Sequence, residues 1–334
     1  MKKIHLSLVA AVSVTLVTPV LAGLQNADHR SAYHRPAVVP VPQDNAQTPE
    51  RIALGKKLFF DPRLSGSSAM SCASCHNPSF SWGDRLSVGV GHGHRKLGRR
   101  TPTILNAAFS EVQMWDGRFA TLEAQAMGPM TSPDEMNVNA DEMLARLRAN
   151  PGYRDFFHAA YGEAGITTAT VSKAIASYER TIISGESPFD RFVAGHDQAI
   201  SVAAKQGFTL FNTKANCAAC HSGWAFTDGS FHDIGVASSD LGRGKTLGIA
   251  ELNHAFKTPT LRNAVERAPY MHDGSEAGLR EVIELYNLGG RVKRPTLSSE
   301  IKPLNLSPQE VDNLIAFLRT LSSVDAPVTL PVLP

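Results

Sequence analysis

The four cysteines constrain this chain more than any other feature. They fall into two copies of one pattern, Cys72-Ala-Ser-Cys75-His76 and Cys217-Ala-Ala-Cys220-His221, with none left over. C-x-x-C-H is the attachment signature of c-type haem. The two thiols add across the haem vinyl groups, and the adjacent His ligates the iron from the proximal side. A single copy could be a zinc half-site or a redox dithiol. Two copies, each with its His and both behind an export signal, point to two covalently bound haem c groups. Cys72, Cys75, Cys217 and Cys220 are then the attachment points, and His76 and His221 the proximal iron ligands.

The N-terminus agrees with that chemistry. Lys2 and Lys3 precede an apolar run from Leu6 to Val17, and Val20-Leu21-Ala22 fits a small-residue cleavage site. Residues 1–22 read as a secretory signal peptide, too short to be a good membrane span. Haem attachment and export together predict the periplasm. No later apolar run is long enough to span a membrane, and a net charge of +2 argues against nucleic acid as a partner. His92, His94, Arg95, Lys96, Arg99 and Arg100 form a local basic cluster that reads as a solvated loop. Residues 23–47 and the Pro-rich end after Val324 read as loosely ordered tails.

An internal repeat organises the rest. Thr101-Pro-Thr-Ile-Leu-Asn106-Ala returns as Thr258-Pro-Thr-Leu-Arg-Asn263-Ala, 157 positions on. Asp116-Gly117 falls on Asp273-Gly274 and Leu122 on Leu279 at the same spacing, whereas the haem motifs are 145 apart. The second half therefore carries a net insertion of 12 residues between its haem motif and this block. Two similar haem domains are the simplest account. They are expected over 23–190 and 191–334, with a seam where Ser184-Gly185 and Ser187-Pro188 break a helix.

The secondary structure reads as mainly α. Thr168 is placed to cap a helix carrying Val171, Ile175, Tyr178 and Ile182 on one face. Ser307 with Glu310 forms a capping box ahead of Val311, Leu314, Ile315 and Leu318. Leu279, Val282, Ile283 and Tyr286 share one apolar helix face. Strand-like alternation is scarce.

Aligning the halves distinguishes the haems. Trp115 falls on His272, and Tyr286 falls on Pro129. Proline has no side chain that binds iron. If this position lies over the distal face, Tyr286 closes the second iron while Pro129 leaves the first open to peroxide. The alternative is an ordinary core tyrosine.

The order C-x-x-C-H, Thr-Pro-Thr, Trp115-Asp-Gly-Arg118, C-x-x-C-H, Pro269-Tyr-Met-His-Asp-Gly274 resembles the bacterial di-haem cytochrome c peroxidase and MauG superfamily. The likeness runs from about Thr48 to Leu321. It implies a mainly α fold of two cytochrome-c-like haem domains with an interface between them. In that superfamily the N-terminal haem is the reactive one, and Trp115 matches the Trp between the haems. A Gln ten residues on and a Glu twenty residues on line the distal pocket; Gln125 and Glu135 match both. Peroxide cleavage needs a group that takes a proton from one oxygen and returns it to the other. The resemblance gives Glu135 that role and lets Gln125 orient the peroxide.

The branches differ at the second haem. Peroxidases place a Met there as distal ligand and the MauG branch a Tyr. Counting from His272-Asp-Gly puts Tyr286 at that ligand position, with Met271 a rival. Phenolate is a hard anionic donor and favours the ferric and higher states. Three positions depart from the pattern. His92 stands where peroxidases carry a distal His, and it is either a ligand of the first iron or a loop residue. Arg100 replaces an Asn found beside an interdomain calcium; its cation disfavours calcium, although backbone oxygens of Arg267 and Pro269 remain. Ala215 stands where MauG has a surface relay Trp, with Trp224 a substitute or a packing residue.

The resemblance implies a MauG-like enzyme. It would use hydrogen peroxide, or oxygen plus electrons, to make a high-valent di-haem state that oxidises a protein substrate. An example is the tryptophan tryptophylquinone precursor of methylamine dehydrogenase. The alternative is a cytochrome c peroxidase drawing electrons from a small cytochrome c or cupredoxin. A non-catalytic electron carrier is a third reading, opposed by Pro129 and Glu135.

Overall fold

The structure, a computed structural model, describes residues 29–325 and 327–334. The expected signal peptide lies outside them. Helix α1 (Pro49–Phe60) begins where Thr48 accepts a bond from the Arg51 N–H and Pro49 presets the first turn. The first half continues through α2 (Cys72–Cys75), α3 (Leu122–Thr131), α4 (Ala140–Ala149), α5 (Pro151–Tyr161) and α6 (Thr168–Glu179). The second holds α7 (Pro188–Val193), α8 (Val202–Asn212), α9 (Gly242–Leu247), α10 (Leu279–Asn287) and α11 (Pro308–Arg319). A short antiparallel pair, β1 (Phe231–His232) and β2 (Phe256–Lys257), supplies its strand content. The Ser307–Glu310 capping box opens α11. Thr167, not Thr168, caps α6, because its side chain and that of Thr170 exchange bonds with each other's backbone N–H.

Each half has its own apolar core, one running from Leu54 to Ile182 and one from Phe189 to Leu321. Each is built on a crossed helix pair, α1 on α6 and α8 on α11. Glycine permits both crossings. A Cβ on Gly55 would stand 1.8 Å from the Ala174 carbonyl oxygen, and one on Gly207 2.0 Å from that of Asn313. The repeat seen in the sequence is thus a repeat of helix packing.

The halves meet through a pseudo-two-fold exchange. Arg100 N–H donates to the His272 carbonyl at 2.7 Å, and its repeat counterpart Lys257 donates to the Trp115 carbonyl at 2.8 Å. His272 and Trp115 are themselves counterparts, so each half gives the other the same bond. The left-handed residues also repeat: Asn106 with Asn263, Met114 with Met271, and Gly117 with Gly274.

Within the described residues the tails are not loose. The Tyr33 ring is buried among Phe189, Phe208 and Phe226 of the second core, and its hydroxyl donates to Asn212 at 2.9 Å. The C-terminal strap crosses the other way. Pro334 O accepts from Arg63 at 2.9 Å and Asn150 at 3.0 Å on the first half. A few anchors, isolated in the sequence, suffice to order the described part of each segment. Nor is the basic cluster all solvated. Arg100 is buried, and Arg99 bridges Asp116 at 2.7 Å and Asp240 at 2.6 Å.

Candidate functional site

Both C-x-x-C-H motifs sit on a single tight turn, closed by the His N–H donating to the first Cys carbonyl, at 2.9 Å for His76 and 2.8 Å for His221. The His76 and His221 rings are oriented alike. His76 Nδ1 lies 3.3 Å from the Trp82 carbonyl oxygen, and His221 Nδ1 2.9 Å from that of Phe226. Trp82 and Phe226 are buried aromatics held in left-handed backbone, which turns each carbonyl toward its His. A carbonyl only accepts, so Nδ1 carries the proton and Nε2 presents a lone pair. That arrangement suits a metal-ligating imidazole. Burial lowers both imidazole pKa values and keeps the rings neutral. Burial also pushes the Cys75 and Cys220 thiols up to about 11, opposite to what a reactive dithiol needs. The donor atoms of Cys220, Asp228 and His232 cluster within 4.8 Å, but a thioether at Cys220 would remove its sulfur from any such metal set.

A deep cavity opens beside the second motif. Cys217, Cys220, His221, Tyr286, Met271 and His272 all line it, with an apolar wall from Phe211, Ile283, Leu314 and Leu318. Tyr286 projects from α10, which starts at Leu279 as α3 starts at its counterpart Leu122. Pro129 lies inside α3. Burial raises the Tyr286 phenol pKa well above its ordinary value, and its hydroxyl has no hydrogen-bond partner among the described residues. Only a strong local cation would draw a phenolate there.

Four cations also line this cavity, Arg100, Lys257, Arg267 and Lys302, against one carboxylate, Glu300. None of the cations has a carboxylate partner among the described residues. Arg100 and Arg267 are buried, and Arg100 Nε makes no hydrogen bond. Burial depresses Lys257 to about 8 and Arg267 to about 9, the latter with Arg100 adding repulsion. Buried unpaired cations are costly. A haem carries two carboxylates, and these residues would meet them, so the cavity fits the group in its anchors, its apolar wall and its charge. The Arg100 guanidinium donates to the Arg267 carbonyl, one of the oxygens a calcium would need.

The expected residues of the first site fall into two groups. His92 N–H donates to the Glu135 carbonyl at 2.7 Å, and the Glu135 carboxylate is close enough to Cys75 to raise that thiol further. His92 Nδ1 is buried without a partner. Gln125 Nε2 lies 3.7 Å from Met114 Sδ, next to Trp115. Trp115 donates its indole N–H to the Arg100 carbonyl at 2.8 Å and reaches the second cavity. Its counterpart His272 stacks on Phe256 at 3.7 Å between ring centres. Trp224 does not reach the surface; it is buried, with the guanidinium groups of Arg35 and Arg262 at 4.7 and 5.0 Å from its ring. Reading the sequence missed Lys257 and Arg267 as cavity residues. The signal for Lys257 was its alignment with Arg100.

The family model for di-haem cytochrome c peroxidase matches residues 49–198, and that for cytochrome c residues 204–322. The methylamine utilization protein MauG of Methylorubrum extorquens is 51% identical over 309 residues, covering 91% of this chain and 87% of its own length. MauG of Methylophilus methylotrophus is 44% identical over 334 residues, covering 99% and 98%. Cytochrome c551 peroxidase of Pseudomonas aeruginosa is 32% identical, covering 96% and 93%. A MauG-like protein associated with microbial copper homeostasis has a similar solved structure, with TM-score 0.80 and 32% identity, covering 86% of this chain and 95% of its own. Two cytochrome-c-like halves, a mainly helical fold and these relatives together place the chain in the di-haem cytochrome c peroxidase and MauG family, as a haem-dependent, peroxidase-type oxidoreductase.

Proposed function

We propose that the chain is a MauG-type enzyme of the periplasm that uses hydrogen peroxide to oxidise tryptophans of a protein substrate, as in maturing the tryptophylquinone cofactor of methylamine dehydrogenase. Two haem c groups, on Cys72 and Cys75 and on Cys217 and Cys220, supply the redox chemistry. His76 and His221 hold the irons from the proximal side. Glu135 moves the peroxide proton, and Gln125 orients the peroxide in the first site. Tyr286 closes the second site, and Trp115 lies on the path between the two. The carrying observation is that Tyr286 lines the same cavity as His221 with its hydroxyl unbonded. The two relatives named for methylamine utilization support the choice of substrate.

A second reading has its own observation. The buried, unpartnered His92 Nδ1 beside Glu135 suits a peroxidase whose distal His gates the first iron. One experiment separates the two. One equivalent of peroxide is added to the diferric protein, and both haems are followed by optical and EPR spectra. The MauG reading expects both to respond together. A diferric protein inert to peroxide, active only after one-electron reduction and fast with a small cytochrome c or cupredoxin, overturns it in favour of the peroxidase.

A further inference from the structure

Glu179, the last residue of α6, carries a carboxyl group the proposed function does not use. It is 5% exposed, and its Oε2 finds no hydrogen-bond partner. The repeat says what it faces. The contact of Gly55 with Ala174 returns as that of Gly207 with Asn313. The bond from Asn106 to the Ile182 carbonyl returns as that from Asn263 to Leu321. Both pairs set the helices 139 positions apart, which puts Glu179 on Leu318. Leu318 lines the second haem cavity. Glu179 therefore occupies the haem-facing place in the first half, and its field is felt at Cys72.

The surrounding charges explain why this acid holds its proton. Among the described residues Arg180 is the cation that acts on Glu179, and Glu123 of α3 takes it, with Oε2 3.0 Å from Arg180 Nη2. Burial raises the Glu123 carboxyl pKa, but the bonds from Arg180 and Asn45 more than reverse it, so Glu123 is the ionised member. For Glu179 burial dominates; Arg180 only partly opposes it and Glu123 adds to it, leaving the acid at about 8. From α1, Arg51 turns to the Ala160 and Ala46 carbonyls and Lys57 to that of Val332. Cys72 of α2 is uncharged once it is a thioether. Two carboxyls around one arginine are thus driven apart, one ionised and one neutral.

We propose that Glu179 is a redox-linked proton site of the first haem, protonated when that haem is reduced. Loss of one electron from the first haem to a one-electron mediator, as in the titration below, would add positive charge that favours the carboxylate. Glu179 then releases one proton toward solvent. When the electron returns, Glu179 takes one proton up. Charge in the buried site changes little, so either step avoids an uncompensated buried charge. The second half, with Leu318 at the equivalent place, has no such group there.

The test is a potentiometric titration of the di-haem holoprotein from acid to alkaline pH, reading the first haem by its EPR and optical signals. In the wild type the first-haem potential falls as pH rises through the neutral-to-alkaline range. Glu179→Gln flattens that fall and leaves a higher potential than wild type at alkaline pH, with the two converging at acid pH. The second haem keeps its own profile. Glu179→Leu, which installs the residue of the second half, gives the same flattening and serves if glutamine impairs assembly. An unchanged slope in a di-haem variant overturns the proposal. The inference rests on haem at Cys72 and Cys75, not on which substrate is oxidised. A chain that carries no haem there sinks that attachment, and a retained slope with both haems in place sinks only the role of Glu179.

Discussion

Gly207→Ala tests the link between helix packing and the second haem. The new Cβ would sit 2.0 Å from the Asn313 carbonyl oxygen, 2.6 Å from its carbon and 2.8 Å from Phe317 Cβ. Two of those atoms are backbone and cannot rotate away. Overpacking of this kind costs typically 1–3 kcal/mol, and a backbone clash belongs near ~3 kcal/mol or above. Alanine returns ~1 kcal/mol of helix propensity inside α8. The net loss is about 2 kcal/mol, or roughly 3 °C in Tm for a chain of about 300 residues at about 2.1 cal/mol/K of unfolding entropy per residue. Relief comes from α8 and α11 separating, which moves Phe211, Leu314 and Leu318, all in the wall of the second cavity. Calorimetry and EPR on the holoprotein check both parts. The second-haem signal shifts while the first stays, and Gly98→Ala, whose Cβ meets nothing within 4 Å, shows no drop in Tm. An undiminished Tm for Gly207→Ala, or a lower Tm with an untouched second haem, would refute the reasoning.

Three other perturbations follow from the same geometry. Tyr286→Phe should turn the second haem from low to high spin in its ferric EPR spectrum; an unchanged spectrum rules out Tyr286 as ligand. Glu135→Gln should slow the reaction with peroxide by roughly 10²–10⁴-fold in stopped flow, with resting spectra kept, and a rate within about a factor of two of wild type makes Glu135 a bystander. Burial raises the Asp240 carboxyl pKa, but bonds from Arg99 and the Gly242 N–H overcome it and hold the group at about 2, below its ordinary 3.8. A depressed acid stabilises fully above its unfolded value and loses that contribution as pH falls through its folded one. Stability at the Arg99 bridge should therefore decline between pH 3.8 and about 2. Asp240→Asn should lessen the slope of Tm against pH in that window, and an identical slope would mean the bridge contributes nothing.

The sequence by itself determined the features that rest on local covalent logic or on register. Two C-x-x-C-H motifs need only their own spacing to bind haem. The 157-residue repeat and the apolar periodicity of α10 and α11 were legible because a duplicated fold keeps the same residues at the same turns. The placement of Tyr286 against Pro129 came from that register alone. What distant segments do to one another was not legible. Arg99 and Arg100 read as solvated because their partners, Asp240 and the Arg267 carbonyl, lie more than a hundred residues away. The tails read as loose because one buried tyrosine and one terminal proline leave no periodic signal. Nothing in the sequence sets Glu179 apart. Its burial, and the loss of Arg180 to Glu123, arise only when α3 packs on α6. Charge and hydration belong to the environment rather than the residue, and the environment is assembled by tertiary contacts that no local stretch of chain contains.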